Sequence, residues 1–168
     1  MAVYPIRTFG DPVLRIPAEP VDDASGALKR LIDDMLETMY EAPGVGLAAP
    51  QIGILKQVFV ADIGDGAFAM LNPELVELSG EWTYDEGCLS VPGRYWPIER
   101  AAFARATGLD VYGRPVEYAG DELMGRVLQH EIDHLGGTLL LERLPRRIRK
   151  TALRDLRKEA LGLPDAFV

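Results

Sequence analysis

The stretch His130-Glu131-Ile132-Asp133-His134 contains both histidines of this 168-residue chain, and it limits the possible folds more than any other. On an α-helix, positions four apart lie on one face, so two imidazoles at this spacing reach a single cation. Glu131 sits about 100° round from His130, close enough to touch a water on that cation without being a ligand. Two histidines do not complete a metal site, so the fold must bring a sequence-distant donor against this helix. The pattern H-E-x-x-H-x-x-G-x-x-H fails, because Leu140 stands where its third histidine is required. The remaining candidates are Cys88, the only cysteine, or an aspartate or glutamate elsewhere. A lone cysteine is more often a small buried hydrophobe. Cys88 differs in its setting, Glu86-Gly87-Cys88-Leu89-Ser90, where Gly87 lets backbone pass close to a partner. A Cys/His/His set is a known open zinc arrangement.

Apolar spacing predicts a helix over Ser25 to Tyr40, stopped by Gly44. Strands are expected at Lys56 to Asp62, at Ala67 to Leu71 and, beyond a turn at Asn72-Pro73, at Leu75 to Leu78. Ile98 to Val111 and Val116 to Tyr118 read as a hairpin around Tyr112-Gly113-Arg114-Pro115. The stretch from Cys88 to Pro92-Gly93 reads as turn-prone. The histidine helix should run from Asp121 to Leu135, ending at Gly136-Gly137, with a short strand at Thr138 to Leu141. Pro145 suits the first turn of a last helix that closes at Gly162. With strands mainly in one block between helices, the expected class is α+β: mixed, largely antiparallel sheets around the central histidine helix, with a C-terminal helix. The length fits one domain over residues 1–168, burying roughly two thirds of the unfolded surface.

Gly44-Val45-Gly46-Leu47-Ala48-Ala49-Pro50-Gln51-Ile52-Gly53 leaves backbone exposed where a ligand could approach. No Gly-Lys-Ser/Thr follows, which excludes a P-loop, and Ala49 breaks G-x-G-x-x-G. Gln51 is the polar exception, able to donate to a developing oxyanion. No apolar run reaches the roughly 18 residues of a membrane helix. The N-terminus carries no secretory pattern, and a single cysteine fits a reducing cytosol, so a cytoplasmic location with no membrane partner is expected. A net charge of −8 argues against sequence-specific nucleic-acid binding.

GVGLAAPQIG, EGCLS and QHEIDHL, in that order and spacing, resemble the three motifs of the peptide deformylases. Intervening lengths match too, so the likeness spans nearly the whole chain. Gly136 stands where that family commonly has Asp, a departure that bears on helix capping, and Pro50 precedes Gln51 as a loop-stiffening variant. The resemblance implies a metal-dependent hydrolase that takes the formyl group from the N-terminal methionine of new proteins and releases formate. It implies one divalent ion on Cys88, His130 and His134, with Fe2+ the working ion and Zn2+ or Ni2+ able to replace it. Glu131 would be general base and then acid. The Gln51 amide and the Leu89 backbone N–H would meet the oxyanion. The peptide would lie extended against Val45, Gly46 and Gly87, with its methionine among Val45, Tyr84, Leu123, Val127 and the His130 region. Glu86 would pair with Arg100 and fix the EGCLS turn. The alternatives are a metallo-peptidase or amidase of other specificity, or a structural metal module that leaves Glu131 and Gln51 without a task.

Residues 142–158 carry eight basic side chains against Glu142 and Asp155, a local +6 in an otherwise acidic chain. Ile148, Ala152 and Leu156 supply an inward stripe on the last helix. Its basic face is either a solvated surface or a dock for ribosomal RNA phosphate, the second suggested also by the family's C-terminal extension.

Overall fold

The computed structural model describes residues 2–22 and 26–162. Helix α1 spans Gly26–Glu41 and buries Leu28, Ile32, Met35 and Met39 on one face. Its expected first residue, Ser25, lies outside the described residues. Strands β1 (Gly46–Ala48), β2 (Val58–Ala61), β3 (Phe68–Ser79), β6 (Phe103–Leu109) and β7 (Pro115–Asp121) form one antiparallel sheet in the order β1-β2-β3-β6-β7. Strands β4 (Trp82–Cys88) and β5 (Val91–Arg100) form a separate antiparallel hairpin. Helix α2, Glu122–Leu135, packs across the five-stranded sheet, and α3, Arg146–Ala160, follows. The fold is α+β with antiparallel sheets and a C-terminal helix, as expected.

Several local expectations need correction. Asn72-Pro73 does not interrupt the strand, because β3 runs straight through it with shifts in register against β6. A bulge absorbs Pro73, which has no N–H to donate. Asn72, at φ 47°, clasps Val21 by donating to its carbonyl and accepting from its N–H.

Ile98 to Val111 is not one strand. It breaks at Ala101-Ala102 and divides between the two sheets. There the Gln129 side chain accepts from Ala101 N–H and donates to its carbonyl, while Glu122 N–H donates to Ala102 O. These partners replace ladder bonds and let the chain turn.

Thr138 to Leu141 is no strand either. Leu140–Arg143 forms a 3-10 turn. Leu139, Leu140 and Leu141 are all fully buried, and such an apolar run does not reveal its backbone from sequence alone. The turn-prone reading from Cys88 to Gly93 holds only at Leu89-Ser90. Cys88 closes β4, and Pro92-Gly93 lies inside β5.

On α3, Ala152 and Leu156 are buried but Ile148 is exposed. The inward stripe is instead completed by Leu153, packed with Val91, Ile98, Leu140, Leu141 and Leu144 on the back of the β4–β5 hairpin. After α2, Gly136 retains φ −86° and Gly137 takes the left-handed turn at φ 75°.

Candidate metal and active site

α2 crosses the core beside the β4–β5 hairpin, so its inward face meets the end of β4. His130 and His134 lie one turn apart with their Nε2 atoms 3.2 Å from each other, and Cys88 Sγ is 3.2 Å from His134 Nε2. The donor atoms of all three residues fall within 4.8 Å of one another, and both histidines are buried.

The donor set fits a metal. A tetrahedral ion with imidazole at about 2.0–2.1 Å and thiolate at about 2.3 Å sets its ligand atoms roughly 3.3–3.6 Å apart. Two buried imidazole nitrogens facing each other and a sulfur have little other reason to converge. The ring of His130 is already oriented for the task. Its Nδ1 lies 2.6 Å from Glu86 Oε1, so the proton belongs on Nδ1 and the Nε2 lone pair is free.

Glu86 has every acceptor position filled. Arg100 donates to both of its oxygens at 2.8 Å, through Nη2 and Nε, and Arg126 Nη1 donates to Oε2 at 2.5 Å. Burial works to raise the Glu86 pKa, but the hydrogen bonds from Arg100 and His130 prevail and hold it well below the usual carboxylate range. Arg100 also reaches Asp133 at 2.8 Å, and Arg143 grips the same carboxylate from the start of the C-terminal segment. Burial, aided by the charges of His130 and Arg100, carries His134 well below the ordinary histidine range. In His130 burial is outweighed by hydrogen bonds to Cys88 and Glu86, which raise the group well above that range.

Glu131 is 3% exposed. Its Oε2 is buried without a hydrogen-bond partner among the described residues. Burial pushes its pKa up to about 7; a dication beside it would draw that value down again. Gly46 is what leaves room for this carboxylate, since a Cβ there would stand 2.3 Å from Oε1 and 2.8 Å from Cδ.

Gln51, fully buried in the 3-10 turn Ala49–Ile52, accepts from Ala48 N–H through Oε1. The amide nitrogen is thereby turned toward Ser90 Oγ, at 3.2 Å, and Cys88 Sγ, at 3.7 Å. Leu89 sits in the hairpin turn beside Cys88, its side chain filling the space a Cβ on Gly44 would need.

These groups open onto a cleft of about 570 Å³ whose walls include Val45, Tyr84, Gly87, Leu123, Val127 and His130. β1 is the last strand of its sheet, so one of its edges has no strand partner among the described residues. Val45 uses its carbonyl on Asp62 N–H, and Gly87 is covered on one face by the Tyr95 ring. The sequence reading missed Arg126, which lines the same cleft, and the pair Asp133–Arg143. For Arg126 a signal existed, since it stands four residues before His130 and therefore on the same helix face.

Thiol and imidazole donors at the foot of a cleft, with a buried carboxylate and an oriented amide beside them, are the donor set and polar groups of a metal-dependent hydrolase. Residues 3–150 match the polypeptide deformylase family, and the chain belongs to it. It is 51% identical to the peptide deformylase of Acidothermus cellulolyticus over 158 residues, covering 94% of this chain and 88% of that one. The crystal structure of peptide deformylase from Thermus thermophilus superposes with a TM-score of 0.90 at 48% identity, covering 95% of this chain and 96% of that one. A Synechococcus elongatus peptide deformylase in complex with actinonin gives a TM-score of 0.87 at 37% identity, over 96% and 87% of the two chains.

Proposed function

We propose that Cys88, His130 and His134 hold one divalent ion, and that this family member there hydrolyses the N-formyl group of the N-terminal methionine on new polypeptides, releasing formate. The observation that carries the reading is the convergence of the chain's only thiol and only two imidazoles beside Glu131. When bound, such an ion supplies Lewis acidity that makes water a nucleophile near neutral pH and polarises the formyl oxygen. The donors suit Fe2+, Zn2+ and Ni2+ alike; Fe2+ is assigned as the physiological ion on family resemblance.

Glu131 takes the proton from the attacking water and delivers it to the leaving amine. Its buried, otherwise unpartnered carboxylate suits a group that moves a proton. As charge develops on the formyl oxygen, Gln51 Nε2 and the Leu89 backbone N–H donate to it. The Gln51 amide is held in place by Ala48, so little reorganisation is needed. The peptide lies extended between the open edge near Val45-Gly46 and the Gly87 strand, a form of strand addition. Because the Val45 carbonyl is already engaged, pairing on that side falls to the remaining backbone groups. Tyr84, Leu123 and Val127 receive the methionine side chain, and Glu86 with Arg100 orients His130.

The chain works as one catalytic unit over residues 1–168, and family resemblance places it in the cytoplasm. No described helix is long and apolar enough to cross a membrane. Arg147, Lys150, Arg154 and Arg157 are exposed and share one face of α3 with the half-buried Lys158. We assign that face to docking on ribosomal RNA, next to emerging formylated chains.

The deciding experiment measures formate released from a short formyl-methionyl peptide by the anaerobic, Fe2+-loaded protein. Cys88→Ala should lose metal and activity together. Glu131→Gln should retain metal and lose roughly 10²- to 10⁴-fold in rate, the usual range for a general base. Full activity in either variant refutes the assignment.

A further inference from the structure

Arg126 is almost fully buried, at 3% exposure, yet it belongs to two structures at once. One nitrogen, Nη1, donates to Glu86 Oε2 at 2.5 Å; the other, Nη2, donates to the Trp82 carbonyl at 2.6 Å. Its guanidinium lies 4.8 Å from the Trp82 ring centroid and 5.7 Å from that of Tyr84, and the two rings stack on each other. The same side chain lines the cleft between Tyr84 and Leu123. Two neutral hydrogen bonds would suffice to satisfy Glu86 Oε2. Burying a guanidinium is costly unless it is well paired, and its planar fork holds a carboxylate in a fixed plane where a flexible ammonium would not.

The consequence falls on His130. Glu86 Oε1 accepts from His130 Nδ1, so the plane of the Glu86 carboxylate sets the direction of the imidazole. Arg100 fixes that plane from the β5 side, and Arg126 fixes it from the helix that carries His130 itself. We propose that Arg126 is a positioning residue: acting through Glu86, it holds the His130 imidazole in its donor orientation and ties the wall of the side-chain cleft to the metal donors. The proposal rests on the reading that His130 is a metal ligand. Outer partners of this kind typically change metal affinity by about 10- to 100-fold when removed.

The test uses the full chain and Zn2+ competed against a chromophoric chelator, with the visible bands of the Co2+-loaded protein as a second readout. Arg126→Met keeps the volume and the apolar wall but removes the donor to Glu86 Oε2 from the α2 side, leaving Arg100 and His130 in place. It should bind Zn2+ roughly 10- to 100-fold more weakly and shift the Co2+ bands, changes that a merely scaffolding role would not produce in a folded protein. Arg126→Lys retains one donor for Glu86 and should recover most of the affinity and the wild-type bands. Wild-type Zn2+ affinity and unchanged bands in Arg126→Met overturn the proposal. If the Met variant does not fold, the Lys variant decides, because a loss of about tenfold there, with a donor still present, overturns it equally. The underlying reading fails separately, if His130→Ala binds Zn2+ as tightly as wild type.

Discussion

Gly46→Ala adds one methyl group, and the structure says where it lands. The new Cβ would lie 2.3 Å from Glu131 Oε1, 2.8 Å from Cδ and 3.1 Å from Cγ. Ordinary contact begins near 3.4 Å, so the carboxylate oxygen must retreat by about 1 Å. Glu131 is buried but lines the cleft, so it relieves the collision by moving into that space and away from its place beside His130. Gly46 is not among the residues with positive φ, so alanine fits the backbone and the collision is the whole effect. Misplacing a reacting group by about 1 Å costs on the order of 10²-fold in rate, and overpacking costs about 1–3 kcal/mol of stability. Deformylation of a short formyl-methionyl peptide should therefore fall about 100-fold in kcat/KM, with metal content unchanged because no donor is touched. In a Glu131→Gln background the same substitution should cost little more, since both act through one group. A Gly46→Ala enzyme within a few-fold of wild type, or fully additive losses in the double variant, would refute the placement of Glu131 as the base.

The remaining predictions concern protonation and charge. In metal-free protein the Glu131 pKa of about 7 lies above its unfolded value, so the carboxyl stabilises the fold at low pH and that contribution is lost as pH rises through 7. Glu131→Gln should therefore raise the melting temperature of chelator-treated protein at pH 8 by an amount reflecting about 3 kcal/mol, with the gap closing toward pH 4; a constant difference across this range contradicts the burial argument. Arg146, Arg147 and Lys150 are exposed, and reversing all three to Glu should weaken ribosome co-sedimentation at low salt while leaving hydrolysis of a short peptide intact. Unchanged co-sedimentation would leave α3 as scaffold alone.

Much of the candidate site is legible in the linear sequence because its chemistry is written in rare residues. One cysteine and two histidines leave few ways to build a donor set, and a spacing of four places both imidazoles on one helix face whatever the rest of the fold does. Periodicity likewise located α1, and local start and stop signals located the other two helices: Gly136-Gly137 after α2, Pro145 and Gly162 around α3. The strand errors share a cause. Whether Asn72-Pro73 breaks a strand, or Ala101-Ala102 turns one into another sheet, depends on distant partners: Val21 for the first, Gln129 and Glu122 for the second. Leu139 to Leu141 are apolar because they are surrounded on all sides, and total burial carries no period.

Tertiary structure alone decided which charges matter. Arg126 shares a helix face with His130 by its spacing, but nothing in the spacing of Asp133 and Arg143 marks them apart from the other basic and acidic residues of a chain that is 26% charged. Only when α2 is laid against the β4–β5 hairpin do Arg126 and Arg100 close on Glu86 from two sides, and Asp133 join Arg100 to Arg143. The steric fit of Gly46 over Glu131 is of the same kind: glycine in a sequence signals freedom, but which atom needs the space is fixed by the packing of a helical residue 85 positions away in the chain. Donor identity is a property of the residue, whereas donor orientation is a property of its neighbours in space, and those neighbours come from segments that no local pattern connects.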